Sequence, residues 1–440
     1  MLKTFKGGLH IHDFKEYTNQ KPINKIEDAS VYIFPLQQHI GAPLEATVKK
    51  GDYVKVGDVI ADNTDAFVAV PLHSSVSGTV VAVEPRLHTS GVKITSVVVE
   101  SDGQFVMNEN LTPKNPDTMT SGEIINEIRN AGIVGMGGAG FPTHVKLTIP
   151  KDKKIDTLII NGAECEPYIT ADHRRMLELP DDVIDGVNIV KKALGVDIAY
   201  IGVENNKKDA IEVLQNKIGE DKGIKVIPLK TKYPQGGEKQ LIYAITRRKV
   251  PTGGLPADVG VVVTNIDTVS QISNAFRTGV PLIDRIVTVS GDCIKEPSNF
   301  LVRCGMQFED VINAAGGFSK QPNKIIMGGP MMGIAQYSTE VPVVKTTSSI
   351  IALSDTGENY KDDVQCLRCG KCVENCPMNL MPLYLNKYSR NGDLEMAEKY
   401  HIMDCMECGL CSYLCPGLEG PIHNIRIAKQ QIIENKRKQK

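Results

Sequence analysis

The eight cysteines between positions 366 and 415 constrain this 440-residue chain more than any other feature. They form two copies of one pattern: Cys366-x2-Cys369-x2-Cys372-x3-Cys376-Pro377, and Cys405-x2-Cys408-x2-Cys411-x3-Cys415-Pro416. Cysteines at this spacing wrap the chain around three irons, and the proline turns it away so that the fourth thiolate points elsewhere. The pattern predicts one [4Fe–4S] cluster on Cys366, Cys369, Cys372 and Cys415, and a second on Cys405, Cys408, Cys411 and Cys376. Zinc is the alternative for crowded thiols, but a zinc site closes with four ligands and usually sets its CxxC pairs far apart. Two clusters in one module make a one-electron wire. Residues 378–404, between the copies, carry a largely helical pattern. Thiols grouped this way also point to a reducing compartment rather than a disulfide framework. The other three, Cys165, Cys293 and Cys304, are scattered and read as packing residues.

A formal charge of −2 argues against binding nucleic acid through bulk charge. The opening "MLKTFKGGLHIHDFKEY" lacks the apolar run of a signal peptide. No apolar stretch reaches the roughly 18 residues of a membrane span. The chain is therefore expected to be soluble, or to meet a membrane only by docking. Residues 1–30 are polar and irregular, and His10 and His12 read as parts of an exposed tail. From 31 to 110, short strands alternate with Gly-Asp turns, as in "ATVKKGDYVKVGDVIA" and "VAVPLHSSVSGTVVAVEP". This resembles the barrel-sandwich fold of biotinyl and lipoyl carriers, which present a modified lysine on the hairpin between the two halves. Here that hairpin reads "ADNTDAFVAV", without lysine, so a structural role is expected.

Residues 118–280 read as α/β. "SGEIINEIRNAG" is an amphipathic helix capped at Ser121 and ending at Gly132. "DTLIING", "IAYIGVE", "IKVIPL" and "GVVVTNI" are buried-strand runs, with helices expected over 182–194 and 237–248. A β-rich module follows over 281–345. A polar linker near 354–362 leads to the cysteine module, 355–425, and a basic tail, 426–440.

Within the α/β region, "GIVGMGGAGFPTHVK" packs Gly135, Gly137, Gly138 and Gly140 ahead of Lys146. Such a loop lets backbone N–H groups approach an anion closely. Gly135-x-Gly137-x-x-Gly140 matches the dinucleotide fingerprint literally, but that fingerprint follows a strand and opens a helix. Here a helix comes first and Phe141-Pro142 delays the next. No Gly-Lys-Ser/Thr is present for a Walker loop either.

The loop resembles the flavin loop of the NADH-oxidising flavoprotein subunit of respiratory complex I. Three further segments match that family in order. "NGAECEP" (161–167) is similar to its N-x-D/A-E-x-E-P loop, "YPQGGEKQL" (233–241) to its Y-x-x-G-E-E-x-x-L stretch, and "TNIDTV" (264–269) to its N-N-V-E-T turn. The resemblance implies non-covalent FMN with NADH stacking on it. Carried over by position, Gly135, Gly137, Gly138, Gly140 and Lys146 lie against the flavin and its phosphate, and Phe141 offers the adenine a stacking face. Asn161, Glu164 and Glu166 line the ribityl chain and ring edge. Tyr233, Gly236 and Glu238 face the nucleotide, Asn265 and Thr268 close the phosphate side, and Glu164 and Glu238 are the implied catalytic pair. Two departures bear on the NADH side. Gly237 stands where the family has its first Glu, and "KLTI" after Lys146 carries none of the family's aromatics.

The order of barrel-sandwich domain, flavin domain, SLBB-like β-grasp module and dicluster ferredoxin module is similar to the C subunits of Rnf complexes. "FKGGLH" and "PLQQHIGAP" resemble that family's N-terminal region. Membership implies a peripheral subunit on the cytoplasmic face of the membrane, with integral-membrane and ferredoxin-like partners. It would pass electrons between ferredoxin-derived clusters and NAD(H) through FMN while other subunits move Na+ or H+. The alternatives are a soluble NADH-dependent cobalamin reductase, and a non-enzymatic cluster wire with an empty nucleotide site.

Overall fold

The computed structural model describes residues 2–355 and 365–438. Of the linker expected at 354–362, residues 356–362 lie outside the described residues, as do the last two residues of the basic tail. The chain forms four packed units, in the expected order.

The first is a sandwich. Val31–Pro35, Lys93–Ser101, Gly78–Leu87 and Tyr53–Val54 form an antiparallel sheet in that order, facing the smaller sheet of Glu45–Ala46, Val59–Asp62 and Leu72–His73. Tyr32, Phe34, Ile60, Val80, Val97 and Val99 fill the space between. The second is a parallel sheet ordered Ile224–Leu229, Ala199–Glu204, Thr157–Gly162, Val261–Asn265. Its β-branched runs are buried on both faces, as a parallel sheet covered by helices requires. Helices Pro180–Leu194 and Ile266–Thr278 pack together on one face and Glu238–Thr246 lies on the other. The helix before the glycine loop is Ser121–Asn130. Its cap is Thr120 rather than Ser121, because Thr120 Oγ1 accepts from Glu123 N while the Glu123 carboxylate accepts from Thr120 N.

The third unit is a six-stranded mixed sheet, and it extends past both ends of the module read from the sequence. Ser349–Leu353 lies in its interior, and Ile23–Lys25 from the N-terminal segment pairs in parallel with Ser298–Arg303 at its edge. Residues 2–30 are thus packed against the protein rather than forming an exposed tail, although His10 and His12 do face solvent. Lys3 bridges to Leu229 and Leu9 to Tyr233, and Phe14 stacks on Tyr168 with ring centroids 4.6 Å apart. Nor is the sandwich separate from the β module. Phe34 and Val97 share one apolar core with Val287, Phe308 and Ile350. Gly305, at φ 94°, brings its backbone against the Phe34 ring, where a Cβ would stand 2.9 Å from the ring edge.

The fourth unit holds the cysteines among short helices, with Pro382–Arg390 and Leu394–Lys399 between the two copies. The boundary expected at 425/426 runs through a continuous helix, Pro421–Lys438. Ile425, Ala428 and Ile432 of that helix pack on Leu385, Ala397 and Ile402.

Candidate functional site

Strand order decides where a ligand can enter the parallel sheet. From Thr157–Gly162 the chain winds outward one way through two strands, then returns to place Val261–Asn265 on the other side. The switch point therefore lies between Thr157–Gly162 and Val261–Asn265, and ligands of open α/β sheets bind outside the carboxyl ends of the strands at such a point. Asn161 and Asn265 are register partners there. Asn265 caps the helix Ile266–Thr278, its Oδ1 accepting from Asp267 N at 2.8 Å and Thr268 N at 3.3 Å.

The glycine loop lies over this switch point. Met136 N donates to Thr268 Oγ1 (3.0 Å), and a Cβ on Gly137 would stand 2.6 Å from Asn265 Nδ2. Gly135 N donates to Phe141 O (2.8 Å), which closes the loop on itself, while Gly140 sits at φ 70°. A Cβ on Gly138 would meet nothing, so the crest of the loop is open. Lys146, on the short helix Thr143–Leu147, is half-exposed. Its Nζ lies 2.8 Å from Glu238 Oε1 and donates to the Val263 carbonyl at 2.8 Å. Asn161 Nδ2 donates to Gly236 O (2.9 Å). The structure thus brings together residues from all four sequence segments, with Phe141 partly exposed at the rim.

Glu164 is placed differently from a residue free to react. Its Oε1 accepts from the backbone N–H groups of Asp172 (2.6 Å) and His173 (3.3 Å), at the start of helix Ala171–Glu178, and its Oε2 lies 3.6 Å from Lys15 Nζ. Its side chain is buried and held by these three groups. Glu166 is largely buried against the β module, accepting from Met331 N (3.1 Å), with the Tyr233 hydroxyl 3.4 Å from its Oε1. Burial pushes its carboxyl up to about 7. A carboxyl raised in the folded state binds its proton more tightly there than when unfolded. It therefore makes stability fall as pH rises from about 4.5 to about 7. Glu166→Gln is expected to flatten that part of the stability–pH curve, as urea unfolding at a series of pH values would measure.

Several residues at the site carry no sequence signal. Lys15, from the N-terminal segment, is buried with its Nζ donating to the carbonyls of Glu166 (3.0 Å) and Ile169. Asp172 accepts from Asn265 Nδ2 (2.8 Å), and burial, with Glu164 and Asp267 nearby, raises its carboxyl. Cys165 does more than pack, since its Sγ accepts from Gly236 N at 3.3 Å. Among the described residues, neither amide atom of the buried Gln235 has a hydrogen-bond partner. Unpaired buried polar atoms in one of the matched segments suit a polar ligand. The open loop crest, the cation and the amides suit a phosphate and a hydroxylated chain.

The cysteines line two cavities. One is walled by Cys376, Cys405, Cys408 and Cys411, and the other by Cys366, Cys369, Cys372 and Cys415. Each cavity is thus lined by three cysteines of one copy of the motif and two of the other. Cys372 and Cys411 also reach the opposite cavity. Burial pushes the Cys408 thiol up to about 12, so an unpartnered thiolate is disfavoured there and a bound cation would offset that cost. The first cavity abuts the flavin domain. The Tyr233 hydroxyl donates to Cys408 O (2.7 Å), and Gln240 Nε2 donates to Pro377 O (3.2 Å). Cys366 and Cys369, in the second, are exposed.

Comparison with known proteins agrees with this arrangement. Residues 3–104 match the RnfC barrel sandwich hybrid domain, 128–274 the Nuo51 FMN-binding domain, 286–335 the SLBB domain and 365–417 a 4Fe-4S dicluster domain. The chain is 48% identical, over 99% of its length and 98% of the relative's, to the C subunit of the Na(+)-translocating ferredoxin:NAD(+) oxidoreductase complex of Acetobacterium woodii. The chain belongs to the RnfC family. It is also 48% identical, over 92% of its length and 88% of the relative's, to the C subunit of the proton-translocating ferredoxin:NAD(+) oxidoreductase complex of Clostridium ljungdahlii. The C subunit of the ion-translocating oxidoreductase complex of Rhodobacter capsulatus is 40% identical over 91% of this chain and 78% of that one. As an RnfC-family chain it is one subunit of a multi-subunit oxidoreductase complex, with FMN and two [4Fe–4S] clusters as its cofactors.

Proposed function

We propose that this chain is the subunit at which the complex exchanges electrons with NAD(H), and that FMN lies at the switch point under the glycine loop. The observation that carries the reading is the segment 233–240. Through Gly236 it borders the switch-point residues, and through Tyr233 and Gln240 it is hydrogen-bonded to the cavity of Cys376, Cys405, Cys408 and Cys411. When bound, FMN exchanges two electrons at once with NAD(H) and one at a time with the clusters, a conversion that clusters alone cannot perform.

The residues divide the remaining work. Backbone N–H groups of the open glycine loop, with Lys146, neutralise the phosphate, and Glu238 holds the Lys146 ammonium in place. Asn161 and Asn265 present amides to the ribityl chain from adjacent strand ends. Glu164 and Lys15 fix the acidic loop, and the apolar contact of Tyr233, Ile11, Cys408 and Leu410 keeps water out of the passage toward the cysteines. The exposed Cys366 and Cys369 then form the end that meets a one-electron partner, a ferredoxin-like subunit of the complex.

Among the described residues no helix is long and apolar enough to cross a membrane. Attachment at the cytoplasmic face is accordingly assigned to integral-membrane partners, which also move the ion. The two relatives at equal identity are named for sodium and for protons, so overall identity does not choose between these ions. The decisive experiment is anaerobic addition of NADH to full-length protein reconstituted with FMN, iron and sulfide. Flavin bleaching followed by cluster reduction is expected. Absence of bleaching at saturating NADH would overturn the reading in favour of a cluster wire.

A further inference from the structure

The hairpin "ADNTDAFVAV" has no carrier lysine, and the structure places it somewhere specific. It is seated beside the glycine loop. The Phe67 carbonyl lies 2.9 Å from His144 Nε2, and the Phe67 ring meets the His144 imidazole edge-on, with centroids 5.7 Å apart. His144 lies on the same short helix as Lys146. In the stretch that follows strand Val31–Pro35, Ile40 N donates to Gly140 O (3.3 Å), and Gln38 and His39 pack under Gly140. The backbone around Gly41 lies directly against the Val68 carbonyl, so these two stretches of the sandwich form one ledge. The Gly140–His144 segment is thus gripped from both sides by the N-terminal domain.

On this ledge two large side chains are left in solvent. Phe67 is 61% exposed and Ile40 52%, and Phe141, which follows Gly140 in the chain, is 37% exposed. The chain has no tryptophan and few aromatics, and two of its ten phenylalanines stand in the open around one short helix. That helix also carries the half-exposed Lys146–Glu238 ion pair. Exposed rings flanking the helix that carries a cation, beside a loop with open backbone N–H groups, are complementary to an aromatic base joined to phosphates. The flavin domain offers no second ring of its own after Lys146, where "LTI" follows.

We propose that Phe67 of the N-terminal sandwich forms, with Phe141, the wall on which the purine base of the dinucleotide rests. The N-terminal domain thereby completes the NAD(H) site from outside the flavin domain. This rests on the reading that the chain oxidises or reduces NAD(H), and the test separates the two. Full-length reconstituted protein is assayed with NADH and with reduced nicotinamide mononucleotide, which carries the same hydride but no purine.

Phe67→Ala is expected to raise the KM for NADH about tenfold, the scale of a lost base–aromatic stack, with FMN content as in the parent. Turnover of the mononucleotide should not follow, and Phe67→Tyr should restore the NADH KM. An unchanged NADH KM in Phe67→Ala would overturn the proposal. If that result came with weaker retention of the protein in its complex, the ledge would be assigned to a protein contact instead. An equal loss for both substrates would also overturn it, as damage to the helix of Lys146 rather than loss of a stack. A parent protein that oxidises neither substrate would overturn the underlying reading itself.

Discussion

Replacing Asp267 with alanine is expected to lower the free energy of unfolding by about 3–5 kcal/mol, because it strands two buried guanidinium groups. Asp267 Oδ1 lies 2.6 Å from Arg175 Nε, and its Oδ2 lies 3.0 Å from Arg285 NH2, with all three side chains at most 4% exposed. Arg175 also donates to Ser270 Oγ (2.8 Å) and Arg285 to the Lys345 carbonyl, so neither cation can swing out to water without breaking further contacts. The three charges come from helix Ala171–Glu178, helix Ile266–Thr278 and the β-module strand Asp284–Ser290. The loss should therefore loosen the flavin domain's junction with the β module, and not one element alone. Asp267 is two residues from Asn265 and donates its own N–H to the Asn265 cap. The same variant should thus retain less FMN through gel filtration. Chemical denaturation of the cofactor-free protein checks the first effect and flavin fluorescence the second. A cost below about 1 kcal/mol, the range of surface ion pairs, would show that the triad is not buried as described.

What the sequence made legible, and what it hid, follows from how far apart in the chain the contacting residues lie. The cysteines announce their chemistry because ligand spacing is local. The glycine loop is readable for the same reason, and the buried strands because β-branched runs need only short-range pattern. Lys15 gave no such signal. Its carboxylate partner lies 149 positions away, and nothing in "DFKEY" marks a lysine that will be buried. The shared core of the sandwich and the β module was hidden likewise, since Phe34 and Val287 meet only through tertiary packing.

Gly237 is the instructive case. From the sequence it is a missing nucleotide contact. In the structure a Cβ there would stand 2.6 Å from the Met406 side chain and 2.7 Å from Gln240 Oε1. Gln240 in turn donates to Pro377 O, beside Cys376. A side chain at this position would have to displace the end of Met406, from the cysteine module, and the amide of Gln240. Met406 lies 169 positions away in the chain, so no local pattern can display this contact.

That packing gives the two cavities unequal standing, and Cys408→Ser and Cys369→Ser are expected to behave in opposite ways. Cys408 is buried, its carbonyl accepts from Tyr233, and its cavity shares walls with Met406 and Leu410 against the flavin domain. Cys369 is exposed, and its cavity is rimmed by Leu367, Arg368 and Leu414. Cys369→Ser should lose one cluster's worth of iron and still let NADH reduce the cluster that remains. Cys408→Ser should lose as much iron, keep flavin bleaching by NADH, and leave the remaining cluster unreduced by NADH but reducible by dithionite. Low-temperature electron paramagnetic resonance of each variant, with either reductant, reads this directly. Equal reduction by NADH in both variants would sink the assignment, because both cavities would then communicate with the flavin independently. The asymmetry has a structural reason that does not depend on the clusters' own potentials. The hydrogen bonds of Tyr233 and Gln240 run from flavin-domain side chains into the cysteine module, and they end at Cys408 and beside Cys376. The N-terminal segment adds a third contact on that same side, from Gly8 N to Asn375 O. The exposed pair is consequently left facing outward, where a partner that carries single electrons can approach it.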